Sequence, residues 1–109
     1  MLTNRPIDIR PAELEQVCSI LKSILPIDAK VSVFGSRVKG RTTRASDLDL
    51  MIDVGRALNK QENNELFNAF EDSDLPYKVD IVDYHMVSDS FKKMIQNEQA
   101  PLIYSKPQK

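Results

Sequence analysis

From Asp47 to Val54 the chain reads DLDLMIDV, with an apolar residue at every even position and an aspartate at every odd one except Met51. A period of two is the side-chain period of a β-strand. Leu48, Leu50 and Ile52 therefore share one face, and Asp47, Asp49 and Asp53 share the other. A strand so divided lies in a sheet whose apolar side is packed by helices and whose acidic side stays open. Helical segments of the right pattern are present. Between Pro11 and Pro26 the residues Leu14, Val17, Cys18, Leu21, Ile24 and Leu25 recur at three- and four-residue steps, predicting an amphipathic helix that Pro26 stops. Residues 60–72 place Leu66, Phe67 and Phe70 on one helical face, and Ser88 is a suitable N-cap for a helix burying Phe91, Met94 and Ile95. KVSVF at 30–34 and KVDIVDY at 78–84 read as two further strands, while the apolar run Leu102–Tyr104 is too short to assign.

The order helix, strand, turn, strand, helix, strand, helix predicts an α+β fold on a small mixed sheet. A chain of 109 residues buries about two-thirds of its unfolded surface, enough for one core without metal or disulfide staples. The expected organisation is a single domain over 1–109, with an irregular arm at 1–11 and a polar tail at 105–109. Cys18, the one cysteine, has no partner for an internal disulfide and is expected in the core. Fifteen Lys and Arg against sixteen Asp and Glu exclude a general polyanion binder, so any contact with a nucleotide must be local and direct nucleic-acid binding is not expected. The chain has no apolar run of about 18 residues and carries charges where a signal peptide is apolar, from which a cytoplasmic, membrane-free protein is expected.

Aspartates two apart on a strand have Cα atoms about 6.5 Å apart and side chains on one face. Asp47 and Asp49 repel each other unless a cation lies between them, and such hard oxygen donors suit Mg²⁺ or Mn²⁺. Upstream, Gly35 and Ser36 end the strand KVSVF: a glycine lets backbone N–H groups approach a phosphate, and a serine hydroxyl donates one more hydrogen bond. Arg37, Lys39, Arg41 and Arg44 follow, four cations in eight residues. A third carboxylate could be Asp80 or Asp83, which alternation places on opposite faces without choosing between them. Asp53 lies roughly 13 Å beyond Asp49 and is expected to be a solvated strand end. His85 has no second ligand at metal-binding spacing and is expected at the surface or in a cap.

Gly35-Ser36, ten residues, then Asp47-Leu48-Asp49 resembles the signature of the nucleotidyltransferase superfamily related to DNA polymerase beta. The strings VFGSRVKGRTTRASDLDLMID and DLPYKVDIVDY are similar in particular to the minimal, MNT-type nucleotidyltransferases of bacteria and archaea. The resemblance implies that Gly35 and Ser36 hold the nucleotide phosphates; in the basic turn beside them Arg37 and Lys39 are expected in reach of the triphosphate, and Arg41 and Arg44 equally suit an acidic partner. It implies that Asp47 and Asp49 bind two Mg²⁺ ions, and that Asp80, which matches the family's later V-D-hydrophobic context better than Asp83, completes the set. ATP as the substrate also rests on the resemblance. Proteins of this kind are commonly encoded beside a helical HEPN-domain protein, often an RNase toxin; the MNT partner acts as antitoxin by adding AMP to a toxin tyrosine. That activity is the expectation. The alternatives are a catalytic subunit that nucleotidylates a small molecule with the helical protein as substrate-binding subunit, and a non-catalytic module that neutralises its partner by contact.

Overall fold

The computed structural model describes residues 7, 9–39 and 46–102. Pro11 opens α1 (Pro11–Ile24) at a position where its missing N–H has no intrahelical partner to lose, and Arg10 precedes it in an extended conformation. There follow β1 (Lys30–Phe34), a single turn of helix α2 (Ser36–Lys39), β2 (Leu48–Asp53), α3 (Lys60–Glu71), β3 (Val79–Asp83), a 3-10 turn at Tyr84–Met86, α4 (Asp89–Ile95) and β4 (Gln99–Leu102). Asn59 starts α3 with a reciprocal capping box to Glu62, and Ser88 caps α4 by accepting the Phe91 N–H.

The strands form one mixed sheet in the order β3-β2-β1-β4. β1 runs antiparallel to both β2 and β4, whereas β2 and β3 are parallel and joined through α3. The face carrying Leu48, Leu50 and Ile52, with Val31 and Val33, packs on Val17 and Leu21 of α1 and on Leu66 and Phe70 of α3; Val79 and Ile81 border that core. The opposite face holds a smaller cluster of Phe34, Met51 and Ile95, bordered by Val82, Val87 and Phe91, with the Phe34 and Phe91 rings edge to face at 5.8 Å. The sheet therefore has a large apolar core on one side, and on the other a small one that leaves room for polar groups. No helix among the described residues is long and apolar enough to cross a membrane.

Four expectations need correction. β4 is a strand, and residues 99–102 acquire that form by pairing with the free edge of β1, Val31 opposite Leu102. Phe67 is 62% exposed and Met94 64% exposed. The α3 stripe consists of Leu66 and Phe70, four residues apart, and Phe67 stands about 100° round the helix from Leu66. In α4, Phe91 and Ile95 likewise take the inner stripe and turn Met94 outward. Cys18 is half-buried at the margin of the core rather than inside it, and burial raises its thiol pKa. The arm residues 1–6 and 8, and the tail from 103 onward, lie outside the described residues. Leu66→Ala is expected to cost about 2–5 kcal/mol of stability and Phe67→Ala less than about 0.5 kcal/mol, read by chemical denaturation. Equal costs would mean that α3 is rotated from the orientation described.

Candidate active site

β1 ends at Phe34, whose register partner is Asp49 in β2; Asp49 is in turn the register partner of Asp80 in β3. The two aspartates thus stand side by side on the face that α4 leaves partly open. Immediately after Phe34 the chain turns at Gly35 with φ +84°, a conformation that residues with a Cβ rarely adopt. A second reason for glycine is space, since a Cβ there would come within 2.5 Å of Asp49 Oδ2. The carboxylate of Asp49 therefore rests directly on the Gly35 backbone. Ser36 begins α2, and the Val38 N–H closes the turn onto the Gly35 carbonyl at 3.0 Å.

The Asp49 carboxyl is raised from its ordinary 3.8 to about 6. Burial contributes most, followed by the negative charges of Asp80 and Asp47 and by a side-chain hydrogen bond with Asp80. Asp47 is exposed, one residue before β2 begins. Among the described residues no three carboxylate, imidazole or thiol groups stand at metal-ligating spacing. The donor chemistry nevertheless fits a hard divalent cation: Asp49, its register partner Asp80 and Asp47 two residues before it form an oxygen-only set, and a cation would offset the neighbouring negative charges that add to the effect of burial on Asp49.

Asp83, the alternative third carboxylate, is engaged elsewhere. Its Oδ2 accepts the Leu58 N–H at 2.7 Å and its Oδ1 the His85 N–H at 3.0 Å, so it pins the segment leading into α3 and starts the 3-10 turn. Asp53, expected to be merely solvated, accepts the Gly55 N–H at 2.8 Å and meets His85 Nε2 at 2.7 Å. Burial pushes the Asp53 carboxyl up, but the Gly55 and His85 hydrogen bonds outweigh it and hold the group below the usual carboxylate range.

Arg37 differs most from its expectation. It is 4% exposed, the one charged side chain buried among the described residues. Its Nε and Nη2 donate to the Ser46 carbonyl oxygen at 3.2 and 2.8 Å, and its guanidinium lies 3.9 Å from the centre of the Tyr77 ring. The group expected to reach out to a triphosphate is therefore turned inward. The Tyr77 hydroxyl donates to Glu13 of α1 at 3.0 Å; burial first and Glu13 second raise its pKa above the ordinary phenol value. The side chain of Lys39, and residues Arg41 and Arg44, lie outside the described residues. A groove of about 660 Å³ between α3 and β3, lined by Asn63, Phe67, Phe70, Tyr77 and Val79 among others, extends to Asp80 and gives the exposed Phe67 ring its setting.

Residues 15–109 match the family described as Polymerase beta, Nucleotidyltransferase. The chain is 41% identical over 90 residues to the probable protein adenylyltransferase MntA of Haemophilus influenzae, covering 83% of this chain and 78% of that protein. It superposes with a TM-score of 0.69 and 22% identity on a crystal structure of a toxin–antitoxin complex with AMP-PNP, over 85% of this chain and 74% of that one. A second match, at a TM-score of 0.62 and 20% identity over 85% of this chain and 72% of the other, is to a complex of tri-AMPylated Shewanella oneidensis HEPN toxin with MNT antitoxin. At these identities the structural matches establish the fold.

Proposed function

This chain belongs to the polymerase beta nucleotidyltransferase family, and from that premise we propose that it is an antitoxin that transfers AMP from ATP to a tyrosine of a HEPN-domain partner, with Mg²⁺ as cofactor. The observation that carries the reading is Asp49 lying against Gly35 with Asp80 as its register partner, which puts carboxylates and a glycine turn at one end of the sheet. Its direction toward a protein acceptor is supported by the 41% identity to a probable protein adenylyltransferase and by the toxin–antitoxin complexes that share the fold.

Gly35 and Ser36 bind the phosphates of ATP, the glycine because it lets the backbone approach and the serine through its hydroxyl. Asp47, Asp49 and Asp80 would hold two Mg²⁺ ions, which would supply positive charge to offset that on the attacking and leaving oxygens of an in-line displacement. The tyrosine oxygen forms a bond to the α-phosphorus while the bond from that phosphorus to the bridging oxygen of the β-phosphate breaks and pyrophosphate leaves. Asp80 accepts the phenolic proton. Lys39 is assigned to the triphosphate; Arg37, turned inward, is not.

The test is intact mass spectrometry of the HEPN partner co-expressed with this chain or with its Asp47→Asn variant. One AMP mass or its multiples on the partner, lost in the variant, is expected. A partner that binds and stays unmodified would overturn transfer to protein and leave the small-molecule transferase or neutralisation by contact.

A further inference from the structure

We infer that Arg37 is a positioning residue of this site, fixing the entry of β2 at Asp47 against the entry of β3 that carries Asp80. The inference rests on the proposed roles of Asp47, Asp49 and Asp80. A buried guanidinium is costly unless its donors are used and its faces are covered. Here two donors converge on one acceptor, the Ser46 carbonyl, at 3.2 and 2.8 Å, and the planar group lies 3.9 Å from the Tyr77 ring centre. Ser46 directly precedes Asp47, and Tyr77 stands three residues before Asp80. Tyr77 is held in turn by its hydroxyl on Glu13 of α1, a residue rooted in the main core by its helix. The same two segments are also joined by the Leu48 N–H on the Lys78 carbonyl at 2.9 Å.

One side chain, projecting from the helical turn that starts at Ser36, thus ties together the two segments that deliver carboxylates and the turn assigned to phosphate. Asp47 is exposed and has no strand pairing in the register of β1 with β2, which runs from Asp49 to Asp53. Its carboxylate is located by the backbone just before it, and Arg37 grips that backbone. A shift of about 1 Å at such a group is enough to cost a reaction on the order of a hundredfold.

The experiment compares full-length wild type with Arg37→Lys and Tyr77→Leu, each read by thermal melting, by calorimetric titration with Mn²⁺ in the absence of nucleotide, and by steady-state transfer of AMP. Lysine keeps the charge but can neither fork onto Ser46 nor stack on the ring. Both variants are expected to bind Mn²⁺ severalfold more weakly and to lose about tenfold or more in kcat, with KM for ATP within about twofold of wild type. A raised KM for ATP at unchanged kcat and Mn²⁺ affinity would make Arg37 a triphosphate ligand and overturn the inference. Lowered melting temperatures with unchanged Mn²⁺ affinity and kinetics would reduce it to a packing residue, with the same result. Because Mn²⁺ binding needs no nucleotide or acceptor, a wild-type protein that transfers no AMP would sink the adenylyltransferase reading while Arg37 is still judged on Mn²⁺ affinity.

Discussion

Asp49→Asn is expected to lower AMP transfer by at least about a thousandfold and, at pH 7.5, to make the protein more stable than wild type. The two effects share one cause. Asp49 is held at about 6 in the folded protein against 3.8 ordinarily, by burial and then by the charges of Asp80 and Asp47. Between those values the folded state binds more protons than the unfolded one, so stability falls as pH rises from about 4 to about 6, and the whole penalty is present above that. A shift of this size corresponds to about 3 kcal/mol, discounted to about 1–3 kcal/mol because the carboxyl is only partly buried. Asparagine keeps the shape of the protonated acid without its charge, so the variant should melt several degrees higher than wild type at pH 7.5 and close to it near pH 4. Mg²⁺ should raise the wild-type melting temperature at pH 7.5 and leave that of Asp49→Asn nearly unchanged. Melting curves at the two pH values, with and without Mg²⁺, decide the matter. A variant destabilised at both would show that Asp49 is a structural group and not a strained ligand.

Much of this arrangement was legible in the sequence because it rests on local periodicity. The alternation of DLDLMIDV placed Leu48, Leu50 and Ile52 in the core and turned Asp49 away from it, and KVSVF coincides with β1. What escaped was set by residues distant in the chain. Gln99–Leu102 contains a proline and spans four residues, and only the open edge of β1 makes it a strand. Alternation could not choose between Asp80 and Asp83; the parallel register brings Asp80 to Asp49, and the Leu58 N–H, 25 residues upstream, occupies Asp83. The Asp53–His85 pair joins positions 32 apart. Arg37 looked like one member of an exposed basic run because its covering ring, Tyr77, is supplied by a segment that no local pattern connects to it. Phe67 and Met94 were apolar and near the right spacing, but a one-turn stripe has room for an i, i+4 pair and the adjacent positions rotate to solvent.

Gly35→Ala is expected to inactivate the protein, and Gly55→Ala to leave it active, although the two glycines have nearly the same backbone. Their φ angles are +84° and +85°, so a methyl group at either site carries the same left-handed strain, about 1–2 kcal/mol. Their surroundings differ. At Gly55 nothing lies within 4 Å of an added Cβ, whereas at Gly35 the Asp49 Oδ2 would be 2.5 Å away and Cγ 3.5 Å away. The conflict can be relieved only by rotating the Asp49 carboxylate away from the turn or by opening the turn assigned to phosphate. Either movement displaces groups proposed to hold the cation and the nucleotide, and a fall in kcat of about a hundredfold or more is expected. Stability should fall by about 1–2 kcal/mol in Gly55→Ala and by about 2–4 kcal/mol in Gly35→Ala, where overpacking adds to backbone strain. Thermal melting and AMP transfer on the two variants side by side separate the contributions, because the shared strain cancels in the comparison. If Gly35→Ala matched Gly55→Ala in both measurements, the close approach of Asp49 to the turn would have no catalytic meaning, and Gly35 would be a glycine for its φ angle alone.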